Sequence, residues 1–166
     1  MRWWARLRGE SAEADDAAVT DAGADDESPQ ALRAGIDAVV RTINASGDDL
    51  PTAALANARH LTDTLTLLVD SAQLRPLDTG TALTVRAATQ DYIPTTLRTY
   101  LALRPDLREA PGPDGATPMR SLVQQIATLQ EGFTAILEAR ERRDADALAV
   151  QGQFLEAKFH RSDLDL

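Results

Sequence analysis

Few residues in this chain are of a type that does chemistry. There is no cysteine, and the only histidines are His60 and His160. His60 precedes Asp63 by three positions, which on a helix places both side chains on one face as two ligands for a divalent cation. A metal site needs at least one more ligand, and nothing nearby supplies it. Di-iron helical bundles carry Glu-x-x-His on two helices, and that pattern does not occur here. No metal and no cofactor is expected, and His60 reads as a surface or boundary residue. The chain also lacks a Gly-x-Ser-x-Gly elbow and a phosphate-cradling glycine loop, so no catalytic residue is assigned. Glu138 and Glu141 stand beside Arg140, Arg142 and Arg143, a pattern that makes solvated ion pairs worth tenths of a kcal/mol each. Arginines at a helix C-terminus also complement the helix dipole. The alternative for this cluster is an anion- or partner-docking patch.

The segment Arg2-Trp3-Trp4-Ala5-Arg6-Leu7-Arg8 is harder to explain by folding. Adjacent tryptophans expose apolar area that is costly in water, and Trp with Arg is the composition of binding hot spots and membrane interfaces. Three candidates could cover Arg2, Trp3, Trp4, Arg6, Leu7 and Arg8: an anionic membrane surface, a partner protein, or a groove on the chain's own bundle. Three arginines at about 1 kcal/mol each would give weak, reversible peripheral attachment to a membrane. The neighbouring acids would oppose even that.

These residues are carried by a chain of 166 residues with net charge -9 and no cysteine. One domain is expected, inside the reducing cytoplasm. Residues 1–8 hold three Arg and no acid, residues 9–28 hold eight acids and no base, and -4 is left for residues 29–166. Such a balance argues against nucleic acid as a partner. Apolar content dominated by Ala and Leu, with 4% aromatic residues, favours helix over sheet. No apolar run approaches the roughly 20 residues that span a bilayer, and the N-terminus does not read as a secretory signal. Residues 1–28 are therefore expected to be a basic tip followed by a disordered acidic linker.

From residue 29 the chain reads as all-α, an antiparallel up-and-down bundle of four to five helices. Ser28-Pro29 is a cap followed by proline at the first helical position. Leu32, Ile36, Val39, Val40 and Ile43 then form one apolar face. A second helix is predicted over 51–73, started by Asp49 or Thr52, with Leu55, Ala58, Leu61, Leu65, Leu68, Val69 and Ala72 inside. A third spans about 80–103 with Leu83, Ala87, Tyr92 or Ile93, Leu97, Tyr100, Leu101 and Leu103 at helical spacing. Pro94 should kink it or split it at 92–95. A loop rich in Pro and Gly covers 104–118. Leu122, Ile126, Leu129, Phe133, Ile136 and Arg140 then alternate at intervals of four and three, a packing seam over a helix at 118–142. Asp144 resembles the cap of a fifth helix bearing Leu148, Gln151, Leu155 and Phe159, widened by Val150 and Phe154. The last two helices are expected to form an antiparallel hairpin, and Val150 with Phe154 to offer a homodimer face.

Around the proline, Asp91-Tyr92-Ile93-Pro94-Thr95-Thr96-Leu97-Arg98-Thr99-Tyr100-Leu101 resembles a segment of the XpaC-like group of bacterial helical proteins. That group is labelled by 5-bromo-4-chloroindolyl phosphate hydrolysis and is associated with TelA-type toxic-anion-resistance proteins. Tyr92, Pro94, Thr96, Leu97 and Tyr100 carry the similarity, which extends over about residues 80–160. The family's N-terminal transmembrane helices have no counterpart here. The resemblance implies a bacterial accessory protein in envelope or toxic-anion stress, with a TelA-type partner. The matched residues include no carboxylate cluster and no activated nucleophile, so hydrolysis is not carried over.

Two functions are open from the sequence. The preferred one is a non-enzymatic interaction protein working through its Trp-Arg tip, its bundle surface, or both. The alternative is a hydrolase or small-ligand-binding protein with a site at the kink, drawing on Asp91, Tyr92, Pro94, Arg98 and Tyr100.

Overall fold

The computed structural model describes residues 27–160, with side chains as far as Gln153. All the regular structure among these residues is helical: α1 Pro29–Ala45, α2 Thr52–Asp70, α3 Thr79–Ala87, a π-helical segment Ala88–Tyr92, α4 Ile93–Leu101, the single turn α5 Pro105–Arg108, and α6 Pro118–His160. No helix among the described residues is long and apolar enough to cross a membrane. Apart from Glu27 and Ser28, the predicted disordered arm lies outside the described residues.

α1 starts as its sequence dictates, with the Ser28 hydroxyl accepting from the Ala31 N–H at 3.2 Å and Pro29 at a position whose N–H would be orphaned anyway. Its predicted face is buried through Leu32, Ile36, Val39 and Ile43. α2 differs at its start, because Pro51 occupies the cap position with no side-chain bond and Asp49 closes a short 3₁₀ turn instead. Ala54, Ala58, Leu61, Leu65 and Leu68 form its fully buried row.

The predicted third helix is continuous in path but not in register. Pro94 has no N–H to donate, and in a regular α-helix its ring would meet the carbonyl four residues back, at Gln90. The backbone instead widens into the π-helical turn Ala88–Tyr92, and α4 begins afresh with Pro94 in its first turn. The inserted residue rotates everything upstream. Leu83, expected inside, is 40% exposed, and Ala87 is only half-buried, while Ala82, Val85, Ala88 and Thr89 face the core. α1 crosses this segment closely, since a Cβ on Gly35 would lie 2.9 Å from Thr89 Oγ1.

The expected hairpin between a fourth and fifth helix is not formed. α6 runs unbroken for 43 residues from Pro118 to His160, about 65 Å at 1.5 Å per residue. The stretch Glu141-Arg142-Arg143-Asp144-Ala145-Asp146-Ala147-Leu148 contains neither glycine nor proline, so the i→i−4 ladder has no reason to stop. Asp144 stays inside the helix and reaches Arg75 at 2.5 Å. Helix directions follow from named contacts. Arg33 in the first turn of α1 pairs with Asp70 at the end of α2, so α1 and α2 are antiparallel. Gln130 of α6 meets Thr64 of α2, and Arg140 meets the chain just beyond α2, so these two helices run the same way. α6 also packs on α4.

The loop before α6 is held by one cation. Arg108 donates to the carbonyls of Leu101 and Leu103 at 3.1 Å each and to that of Asp49 at 3.2 Å, and its guanidinium lies 5.1 Å over the Tyr100 ring. Gly115 turns the loop at φ 77°, a left-handed conformation that favours glycine.

At the start of α3 the Asp78 carboxylate accepts from the Thr81 N–H at 2.9 Å and from its hydroxyl at 2.8 Å. These bonds hold the carboxyl below its ordinary 3.8, the backbone N–H contributing most. A depressed folded pKa means the cap stabilises above that pH and fades as pH falls through the folded value. Asp78→Ala is expected to lose about 1 kcal/mol at neutral pH, with variant and parent converging below pH 3.8 in urea titrations. Gly35→Ala should destabilise by about 1–3 kcal/mol through overpacking. Thr89→Ala in the same chain should relieve most of that loss, and simple additivity in a double-mutant cycle would contradict the crossing.

Candidate functional site

The kink residues come together only in part. On the exposed face of α4 the Thr95 hydroxyl donates to the Asp91 carboxylate at 3.2 Å and accepts from Arg98 Nη2 at 3.1 Å, while Arg98 Nε donates to the Pro94 carbonyl at 3.3 Å. Tyr92 and Pro94 are half-buried, and Tyr100 is buried under Arg108. The interior at this point is filled by Ile93 and Leu97. Beside it, between α4 and α6, run two adjoining grooves. One of about 290 Å³ is lined by Thr96, Thr99, Tyr100, Ser121 and Gln125, and one of about 270 Å³ by Asp91, Tyr92, Thr95, Thr96 and Gln125. Their chemistry is that of hydroxyls, an amide and one carboxylate: a surface for hydrogen bonds. Sequence reading found Asp91, Tyr92, Arg98 and Tyr100. It missed Ser121 and Gln125, which α6 brings from outside the motif.

His60 and Asp63 are both exposed on α2. Among the described residues no group of three or more His, Cys, Asp or Glu side chains could hold a metal ion.

Polar groups converge more tightly between α2 and α6. Gln130 Nε2 donates to the Thr64 hydroxyl at 3.0 Å and to that of Thr134 at 2.9 Å. Two turns further on lies Arg140, only 8% exposed. Its Nη2 donates to the carbonyls of Ser71, at 3.2 Å, and of Arg75, and its Nη1 reaches that of Pro76 at 3.4 Å. The guanidinium thus meets carbonyls of the connection just beyond α2, at the negative pole of that helix, and shares that of Ser71 with the N–H groups of Leu74 and Arg75. The arginine cluster is divided by this arrangement. Arg140 turns inward, and Arg142 pairs with Glu138 at 3.9 Å along the helix surface. Arg140 complements the end of α2 and not, as the sequence suggests, the end of its own helix. The four-three seam that placed Arg140 in line with Phe133 and Ile136 was the signal that it points inward.

Beyond Arg140 the environment changes. Every residue from Glu141 to Gln153 is exposed, including Leu148 at 73% and Val150 at 67%. Leu74, 93% exposed, stands at the same end of the molecule next to Arg75, the partner of Asp144. The side chains of Phe154, Leu155 and Phe159 lie outside the described set, as do Arg2, Trp3, Trp4, Arg6, Leu7 and Arg8. Compared with known families, with curated proteins and with solved structures, the chain matches none of them.

Arg140→Leu keeps the side-chain bulk but strands the carbonyls of Arg75 and Pro76. It is expected to lower stability by about 3 kcal/mol, whereas Arg142→Leu should stay within about 0.5 kcal/mol. Equal midpoints in urea for the two variants would contradict the clamp.

Proposed function

We propose that this chain is a non-enzymatic helical interaction protein whose binding surface is the projecting half of α6. In this reading α1, α2, the α3–α4 rod and the first half of α6 form an up-and-down bundle, which holds that surface clear of the core. The observation that carries it is the exposed run Glu141–Gln153 with Leu148 and Val150 uncovered. Burying a side chain of that size is worth about 1.5–3 kcal/mol, so a partner that covers either face of the helix gains from the one it buries. The resemblance at residues 91–101 supports a setting in a bacterial cytoplasm, as an accessory to envelope or toxic-anion stress with a TelA-type partner. A second copy of the chain, or weak membrane contact through residues 1–8, belongs to the same reading.

The adjoining grooves beside Thr96 favour one other reading, a small ligand held by hydroxyls between α4 and α6. One experiment separates the two. A photo-crosslinking residue placed at Val150 is expected to yield protein adducts of defined mass in cells, while the same probe at Thr99 yields none. Protein adducts at neither position, with a small-molecule adduct at Thr99, would replace the interaction reading with the ligand one.

A further inference from the structure

The end of the bundle from which α6 projects is also the end where the chain enters it. Pro29, Gln30 and Arg33 lie against Val69, Asp70 and Gln73, and the next residues, Ser71 to Pro76, present their carbonyls to Arg140. Residue 29 and the root of the projection therefore flank the same short connection. Leu74 in that connection is exposed, and so is Leu148, one helical turn beyond the Asp144 that holds Arg75.

We infer that the occupant of this surface in the isolated chain is its own N-terminal tip, with Trp3, Trp4 and Leu7 set against Leu74 and Leu148. The inference rests on the reading of α6's projecting half as a binding surface, and it names what covers that surface when no partner does. Length permits it. Twenty residues separate Arg8 from Pro29; a coil of that length spans about 25 Å, and α6 rises only about 15 Å from Arg140 to Val150. Composition favours the tip over the rest of the arm, because residues 9–28 contain Val19 as their only large apolar side chain, whereas residues 1–8 hold both tryptophans of the protein. A tethered segment works at an effective concentration in the millimolar range, so even a weak contact is mostly closed, and an incoming partner must displace it.

Because Trp3 and Trp4 are the only tryptophans, intrinsic tryptophan fluorescence of the full chain reports on the tip alone. At low micromolar concentration the intact protein should show blue-shifted emission and acrylamide quenching several-fold weaker than a Leu74→Asp/Leu148→Asp variant. The shift should not depend on protein concentration. Both substituted residues are exposed, so the variant should keep its far-ultraviolet circular dichroism. Three results would overturn the inference. Water-like emission in both proteins would remove the contact. A blue shift that disappears on dilution would assign the surface to a second copy of the chain. A blue shift seen only with phosphatidylglycerol vesicles would assign the tip to a membrane. If the tip fails in any of these ways while the Val150 probe still crosslinks a partner, the surface stands and only its occupant falls.

Discussion

The guanidinium of Arg140 decides where this molecule stops being a bundle. A helix that ends inside a fold leaves carbonyls with no intrahelical donor, and α2 ends in a connection that has to turn back toward α3. Arg140 meets the carbonyls of Ser71, Arg75 and Pro76 from a neighbouring helix, so the end of α2, the turn and the α6 backbone are tied at one point. One full turn later Asp144 holds Arg75 from the same side. Below this knot α6 is packed on α2 and α4; above it every residue of α6 as far as Gln153 is exposed. Removing a partner from so enclosed a charge costs more than removing an exposed ion pair, because the stranded carbonyls cannot recover full hydration.

A second constraint comes from a single missing hydrogen. Pro94 cannot donate to the helix, and the chain accommodates it by widening the preceding turn rather than by breaking. The consequence is rotational. Val85 and Ala82 take the places that an unbroken 3.6-residue period, read back from Leu97, assigns to Leu83 and Ala87. Thr89 then turns inward at the level of Gly35, its hydroxyl satisfied by the carbonyls of Val85 and Arg86, so a polar side chain can sit in a close helix crossing without an unpaired group.

Much of the fold was legible in the sequence. The faces of α1 and α2 and the seam of α6 up to Arg140 follow from apolar spacing, and Ser28-Pro29 marks the start of α1 to the residue. The boundary at Asp144 misled because aspartate is as common at caps as it is tolerable inside a helix, and only its hydrogen-bonding partner distinguishes the two. The candidate site was legible in smaller measure. Asp91, Tyr92 and Arg98 could be singled out from the proline motif, but Gln125 and Ser121 join them through packing between segments some thirty positions apart, which spacing within one helix does not encode.

By itself the sequence determined that this protein is helical, that its core rows lie at particular positions, and that its tryptophans stand apart from those rows. Local periodicity and capping are written in neighbouring residues, where helix physics acts. Tertiary structure alone decided that the last predicted pair of helices is one rod, that Arg140 serves another helix's end, and that Leu74, Leu148 and Val150 are left uncovered. Those outcomes depend on which surfaces meet across long sequence separations. Burial is a property of the assembled set of helices, and no single stretch of residues contains it.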